Sequence, residues 1–568
     1  MNKQDALHNL RHSAAHVLAQ AVLELFPGTK LTIGPVTETG FFYDFLPTQN
    51  FKEDDLPRIE AKMHEVAAKA YPIIGGQVPK DEARKLFKDN RFKIELIDGI
   101  EGETVGIYHQ GDWFDLCRGG HTPTTADVKY FKLMTISGSY WRADRSGQAL
   151  QRISGICFAT QAELDAYLKH LEDVQMYDHR RLGKQLDLFT FHDIAPGMPF
   201  YHAKGLAVRN KLISYMRYLR GAKFQEIRTP QIMSESLWRT SGHYDNYKEN
   251  MYFTSVEDAS FCVKPMNCPG SILMYKERPR SYRELPLRLA EFGDVHRFEL
   301  SGAMHGMFRV RAFTQDDCHI YCTLDQMASE IEMLINHFAQ VYEKFNFSNV
   351  KMVLATRPEK FIGTPEVWET AIAALRHGLE ARGATFEIAE GDGAFYGPKI
   401  DFRILDAMGR EWQCGTIQAD FVQPMNFDLE YIDADQSRKR PVMLHFVAYG
   451  SIERFFGILL EHYKGHLPFW LAPVQARVLK ITDEQKEYAQ KVCDALRAQG
   501  INAECDDSGD QLNAQIRRAQ VEKIPWMLVI GKKEVEQNTV TLRNNDGKQE
   551  FGLSIETLIA RAKELNAF

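Results

Sequence analysis

The sequence predicts a multidomain chain that combines α+β with α/β organisation: an N-terminal α+β unit, a central antiparallel sheet packed with helices, and a C-terminal α/β module. Three observations carry this expectation. At 568 residues the chain is too long for one hydrophobic core, which points to about three or four domains. Its middle holds a long series of strand-like segments interrupted by few helical ones, and its final segment alternates short apolar runs with amphipathic stretches.

From Leu10 to Phe26 apolar residues recur at helical spacing (Leu10, Ala14, Leu18, Ala21, Val22, Leu25) until Pro27-Gly28 stops the helix. His12 and His16 lie one turn apart on it. Strand-like KLTIGPV and GFFYDF follow, then an amphipathic stretch around 55–70, then strands carrying YHQGDWFDLCRGGHTP and YFKLMTISGSYWRAD. This unit is expected to span 1–176. The second, 177–470, opens at QLDLFTFHDIAPGMPFYHAKG with a helix over about 203–220. LPLRLAEFGDVHRF, FRVRAFTQDDCHIY, FYGPKIDFRILD and REWQCGTIQADF read as strands, with helices near 325–345 and 365–382. Pro468 and Pro473 mark the next boundary. In 471–568, helices over 483–499, 510–521 and 555–566 alternate with VLKIT, INAEC, PWMLVIG and TVTLR.

Apolar residues at 44% and charged residues at 26% describe an ordinary soluble chain. No apolar run of about 18 uncharged residues occurs, and the N-terminus lacks a signal-peptide stretch, so the cytoplasm is the expected compartment and no membrane is involved. Nine scattered cysteines, an odd number without a CxxC pair, suit reduced thiols. The net charge of -7 argues against a generally basic nucleic-acid coat without excluding a local RNA-binding face.

Three distant residues, Cys268 in KPMNCPG, His319 in FTQDDCHIY and His445 in PVMLHFVAYGS, each fall in an apolar, strand-like segment. Together they can hold one metal ion with a coordination position left open for substrate, whereas structural zinc sites close the tetrahedron with protein. Each taken alone reads equally as a core residue. Neither GxxxxGK[ST] nor a correctly placed GxGxxG occurs, so phosphates would have to be gripped by arginines on a sheet. Arg297 beside Glu299, Arg309 and Arg454 are the candidates, because guanidinium forks match phosphate and carboxylate oxygens. A single arginine of this kind is as readily a solvated strand residue.

The ordered segments RHSAAHVLAQAV, DLCRGGHTP, SYWRAD, HDIAPGMPF, TPQIMSESLW, SGHYDNYKENMY, KPMNCPG, HRFELSGAMHGMFRVRAFTQDDCHIYC, GAFYGPKIDF, WQCGTIQADF and GSIERFFGILLEH closely resemble the threonyl-tRNA synthetases, a class II aminoacyl-tRNA synthetase family, over about residues 10–470. The resemblance implies ATP-dependent activation of L-threonine and its transfer to tRNA(Thr). It implies one zinc ion per subunit on Cys268, His319 and His445, its open position taking the amino and hydroxyl groups of threonine, and magnesium accompanying ATP. Asp317 matches the carboxylate that holds the substrate amino or hydroxyl group. Arg297 matches the motif 2 arginine on the substrate carboxylate and α-phosphate, and Arg454 the motif 3 arginine near the γ-phosphate. Glu299, Arg309, Gln315, Lys399, Gln413, Gln418 and Ser451 match positions lining the adenylate pocket, and Tyr396 a tyrosine beside threonine. His243 matches a histidine that helps move a proton from the terminal ribose, or holds that ribose by a hydrogen bond. Pro230 matches the motif 1 proline, which implies a homodimer.

In the same family His12, His16, Cys117 and His121 form an editing site that hydrolyses mischarged seryl-tRNA, with Lys93 and Asp115 at two further editing positions. The four residues have ligand spacing as well, so a second zinc site is an alternative reading. An HExxH protease is excluded, since Ser13 stands where glutamate is needed. The C-terminal module resembles the shared anticodon-binding domain, with Glu534 and Arg543 at anticodon-contacting positions; the loop Asp506-Asp507-Ser508-Gly509 departs from it by lacking an asparagine. The small N-terminal domain that many relatives carry is expected to be missing. Ser271 replaces a common histidine, and Phe446-Val447-Ala448-Tyr449 replaces the usual Arg-Ala-Ile-Leu. These changes suggest an inhibitor-tolerant copy with a reshaped active site; a separate rival, a non-catalytic RNA-binding or regulatory paralogue, is opposed by the retention of Arg297, Arg454 and the Cys268, His319 and His445 trio.

Overall fold

A computed structural model describes residues 3–568 except 145, 349, 407 and 408. By internal contacts the chain forms two compact units, Met1–Asp173 and Val174–Phe568.

In the first unit the helix Lys3–Leu25 buries Ala14, Leu18, Ala21 and Val22, the stripe expected from their helical spacing. It packs with the helix Leu56–Ala68 on a sheet ordered Lys30–Leu31, Gly40–Leu46, Ala149–Phe158, Tyr130–Tyr140. A second sheet (Ile73–Pro79, Thr104–Gln110, Trp113–Leu116) carries two helices with no counterpart in the sequence reading, Lys80–Leu86 and Arg91–Gly99. Asn90 caps the second by accepting from the amides of Phe92 and Lys93.

The second unit is built on an eight-stranded sheet whose strands in chain order are β1 (Gln225–Glu226), β2 (Leu287–His296), β3 (Ala312–Cys322), β4 (Val350–Ala355), β5 (Phe386–Ala389), β6 (Lys399–Leu405), β7 (Glu411–Asp420) and β8 (Val442–Val447). They lie in the order β1-β2-β3-β8-β7-β6-β4-β5. All pairings are antiparallel except at the two edges, β1 with β2 and β4 with β5. Alternation divides the sheet into two faces. Cys318, Ile320, Ile400, Phe402, Ile417, Leu444 and Phe446 enter the main core beneath the helices Ala203–Arg220, Met327–Lys344 and Ile452–His462. The intervening residues form the opposite face, where the polar side chains gather.

The helix Ala203–Arg220 has the predicted bounds, and Met327–Lys344 and Pro365–Glu380 fall within a few residues of theirs. The expectation fails at Cys268, which opens the helix Cys268–Lys276 rather than lying in a strand. Pro269 explains the difference: proline is suited to the first turn of a helix, where its missing N–H has no partner to lose. The segment around Arg454, recognised only as a motif, is the helix Ile452–His462, capped by Ser451.

The C-terminal residues form a five-stranded sheet ordered Ala503–Cys505, Ala476–Lys480, Trp526–Ile530, Val540–Asn544, Gln549–Leu553. The first three strands run parallel and the rest antiparallel. The helices Lys486–Arg497, Leu512–Val521 and Ile555–Leu565 accompany it.

Candidate active site and a second polar cluster

Strand register assembles the central site. His319 of β3 lies opposite His445 of β8, His445 opposite Gln418 of β7, and Gln418 opposite Lys399 of β6. Directly paired residues share a face of an antiparallel sheet, so one transverse row delivers two imidazoles, an amide and an ammonium to the same side. Asp317 and Gln315 follow on that face at period two. Cys268 arrives from its helix, and one ligand atom from each of Cys268, His319 and His445 lies within 4.8 Å of the others.

Several observations test whether this trio suits a metal. His319 Nε2 is buried without a hydrogen-bond partner, a costly state for an imidazole nitrogen that is neither bonded nor ligated. His445 Nε2 lies 2.8 Å from Asp420 Oδ2, and Asp420 Oδ1 accepts from the amides of Val422 (2.8 Å) and Gln423 (2.9 Å). A carboxylate fixed in this way accepts from Nε2–H, orients the ring and leaves the Nδ1 lone pair free to ligate, the usual outer support of a metal-bound histidine. Burial pushes the Cys268 thiol well up and the His319 imidazole well down. A nearby divalent cation reverses the thiol's preference, because the ligand form is the thiolate. The residues fit the ion.

These side chains line one cavity of about 490 Å³, together with Arg297, Glu299, Arg309, Gln315, Asp317, Tyr396, Lys399, Gln413, Gln418, Ser451 and Arg454. The arginines are held through Nε: Arg297 by the Pro265 carbonyl (3.1 Å) and Arg454 by that of Phe308 (2.9 Å), while Arg309 meets Glu299 at 2.9 Å. The Arg297 guanidinium also lies over the Phe313 ring, 5.2 Å from its centroid. Lys399 pairs with Asp401 at 2.6 Å, and Asn267 donates to Asp317 at 3.1 Å. Burial raises the Asp317 carboxyl, and the Asn267 bond opposes that shift.

His243 is buried outside the cavity lining. Ser241 Oγ donates to the Trp238 carbonyl (3.1 Å), so its 2.7 Å contact with His243 Nδ1 is one in which the ring N–H donates. Nε2 then keeps its lone pair, and burial lowers the imidazole to about 4, so it is a neutral base at pH 7.

Two supporting residues were missed by sequence reading. In FTQDDCHIY only one of the adjacent aspartates can face the cavity; Asp316 points into the core and accepts from the amides of Ala448 (2.9 Å), Tyr449 (3.1 Å) and Gly450 (3.0 Å). It thereby fixes the turn that leads into Ser451 and Arg454, with Arg220 3.7 Å away as counter-charge. Asp420 is the other, and nothing in QADF distinguishes it before β7 and β8 are aligned.

The first unit brings His12, His16, Cys117 and His121 together, with one ligand atom from each within 4.8 Å of the others. Cys117 Sγ lies 3.1 Å from His121 Nε2 and 3.4 Å from His12 Nε2. Burial lowers His121 to about 3 and raises Cys117 to about 11, which favours the neutral form of both. Lys93 and Asp115 form a buried ion pair at 2.5 Å, bridged by Tyr43, whose hydroxyl donates to Asp115 (2.5 Å) and accepts from Lys93 (3.0 Å). Tyr43 was not singled out in sequence, where it is one of several alternating aromatics in GFFYDF. In the C-terminal module Glu534 spends its oxygens locally, on the Gly531 amide (3.0 Å) and Thr541 Oγ1 (2.9 Å), and Arg543 Nε is buried without a partner.

An antiparallel sheet bearing arginines in place of a phosphate loop defines the catalytic core of the class II aminoacyl-tRNA synthetases, and residues 252–463 match the family described as tRNA synthetase class II core domain (G, H, P, S and T). Residues 472–565 match the anticodon binding domain, and 105–154 the threonyl and alanyl tRNA synthetase second additional domain. The threonine--tRNA ligase of Clostridium tetani is 48% identical over 562 residues, covering 98% of this chain and 88% of that protein. That of Carboxydothermus hydrogenoformans is likewise 48% identical with the same coverage. A crystal structure described as the RNA binding domain of threonyl-tRNA synthetase from Cryptosporidium parvum superposes with TM-score 0.67 at 43% identity, covering 68% of this chain and 98% of that one. The chain belongs to the threonine--tRNA ligase family.

Proposed function

We propose that this chain activates L-threonine with ATP to threonyl-adenylate, passes the threonyl group to the 3′ end of tRNA(Thr), and hydrolyses mischarged seryl-tRNA(Thr) in its first unit. The observation that carries the reading is the convergence of Cys268, His319 and His445 beside an arginine-bearing cavity large enough for an aminoacyl-adenylate. A zinc ion held by the trio would supply a Lewis-acidic open position for the amino and hydroxyl groups of threonine. Asp317 accepts hydrogen bonds from those groups. Arg297 grips the carboxylate and α-phosphate and stabilises the charge that develops in adenylate formation; Arg454 holds the far end of the triphosphate, where magnesium accompanying ATP would offset part of its charge. Glu299, Arg309, Gln315, Lys399, Gln413, Gln418, Ser451 and Tyr396 complete the walls. In the transfer step His243 Nε2 takes up the ribose proton, directly or through the nucleotide.

This division of labour fits the selectivity problem. Valine lacks the hydroxyl, and a site built to bond one rejects such an analogue by roughly 10⁴ to 10⁵. Serine keeps the hydroxyl and lacks one methyl, worth only about 1–3 kcal/mol, so a second hydrolytic pocket is needed. His12, His16, Cys117 and His121, backed by Lys93 and Asp115, hold and activate the water there. We assign editing to 1–176, catalysis to 177–470 and anticodon binding, with Glu534 and Arg543, to 471–568. Exposed Ile232, two residues after the motif 1 proline Pro230, supports a homodimer. Among the described residues no helix is long and apolar enough to cross a membrane, and the cytoplasm is the compartment we propose. ATP–pyrophosphate exchange with threonine, serine and valine, alongside metal analysis, tests the reading: exchange with threonine and serine but not valine, at one zinc per site, is expected, and exchange independent of metal overturns it.

A further inference from the structure

A third cluster of ligand-type residues, Asp178, His179 and Glu461, lies outside both pockets. His179 is fully buried, and both its ring nitrogens are in use. Nδ1 lies 2.7 Å from Glu461 Oε1, and Nε2 lies 3.0 Å from the amide nitrogen of Met307. An amide can only donate, so Nε2 accepts and the ring proton sits on Nδ1, donated to Glu461. No lone pair remains for a metal. The His179 amide also donates to Glu461 (2.9 Å), and Arg410 bonds the other Glu461 oxygen and Asp406, so the carboxylate is anchored from three directions.

What this arrangement holds is the turn 305–309. Gly306 has φ +49°, and a Cβ there would stand 2.2 Å from His179 Nε2, so glycine is what lets the turn close onto the imidazole. Phe308 packs at a tilt against the His179 ring (centroids 4.0 Å) and against Trp412 (4.2 Å). Its carbonyl is the acceptor for Arg454 Nε, and the next residue is Arg309, which lines the cavity. The burial of His179 keeps the ring neutral, lowering it to about 3, as an acceptor at Nε2 requires.

We infer that His179 is a positioning residue of the ATP side of the cavity, fixing with Glu461 the turn from which Arg454 takes its anchor and Arg309 projects. The inference rests on the reading of Arg454 and Arg309 as ATP contacts. It acts on one substrate only, because the Cys268, His319 and His445 cluster and Asp317 make no contact with this turn through any of the bonds described.

The test uses the full-length, zinc-loaded protein and measures equilibrium binding of ATP and of threonine separately, with hydrogen exchange at the Met307 amide. His179→Phe keeps an aromatic ring and loses both bonds; His179→Asn keeps a donor toward Glu461 but falls short of Met307; His179→Gln can reach Met307 with its amide oxygen. The Phe and Asn variants should weaken ATP binding on the order of ten-fold, the size of one lost buried hydrogen bond, leave threonine binding unchanged and speed exchange at Met307, with Gln recovering most of the loss. Should the His179 variants not fold, Gly306→Ala displaces the same turn with the dyad intact and should show the same ATP-selective loss. Wild-type ATP affinity in folded Phe, Asn or Gly306→Ala variants, or a parallel fall for ATP and threonine, overturns the inference. Threonine-dependent exchange by the wild type is scored separately: its absence, with ATP binding still dependent on His179, refutes the reaction and not the positioning.

Discussion

Replacing Asp420 by asparagine probes the metal site through a residue that touches no substrate. Asp420 is fully buried, and its two oxygens face donors only: the amides of Val422 and Gln423 on one, the His445 ring on the other. An asparagine can satisfy the two amides with its oxygen, but its NH2 then meets the His445 Nε2–H, donor against donor. Rotating the amide by 180° moves the clash to Val422 and Gln423. The relaxed solution moves the ring proton of His445 from Nε2 to Nδ1, the nitrogen that the Asp420 bond otherwise leaves free to ligate, and a protonated nitrogen cannot ligate. Loss of such outer-shell support typically costs 10–100-fold in metal affinity, about 1.4 to 2.8 kcal/mol. Titration with a competing chelator reads the affinity, and steady-state exchange reads the KM values. Zinc affinity should fall by that factor and the KM for threonine should rise with it, while the KM for ATP stays put. A folded Asp420→Asn protein with wild-type zinc affinity and threonine KM refutes the tautomer argument.

Ser241→Ala removes the acceptor that keeps the His243 proton on Nδ1; single-turnover transfer to tRNA should slow several-fold with adenylate formation unchanged, and equal slowing of both steps counts against the role given to His243. Tyr43→Phe strips the bridge from the buried Lys93 and Asp115 pair, and a half-satisfied buried charge network is destabilising by about 1–3 kcal/mol; hydrolysis of seryl-tRNA should fall while threonylation persists, and unimpaired hydrolysis would count against it. Glu522 lies between Arg477 and Lys204, and the Arg477 bonds foremost hold its carboxyl down to about 2 from an ordinary 4.5. A depressed carboxyl lends stability that is present above the ordinary value and lost as pH falls through the folded one. Acid unfolding should therefore be less steep between about pH 4.5 and 2 in Glu522→Gln, and superimposable curves would dismiss the triad as a contributor.

The residues legible in sequence were those whose type declares a chemistry: a thiol and imidazoles in apolar surroundings, arginines on strands, a helix with two histidines one turn apart. Periodicity recovered the helices Ala203–Arg220 and Met327–Lys344 because their apolar stripes are local properties of the chain. It could not place Cys268, whose helix begins at a residue flanked by strand-like apolar neighbours and is fixed by docking, with Ile272 and Tyr275 buried beneath it. The sequence by itself determined which donors and which guanidinium groups exist. Only the tertiary structure decided which of them meet, because strand register and helix docking bring together segments that are distant in the chain: register set His319 against His445, and packing made Asp420, Tyr43 and His179 the partners that hold the working groups still.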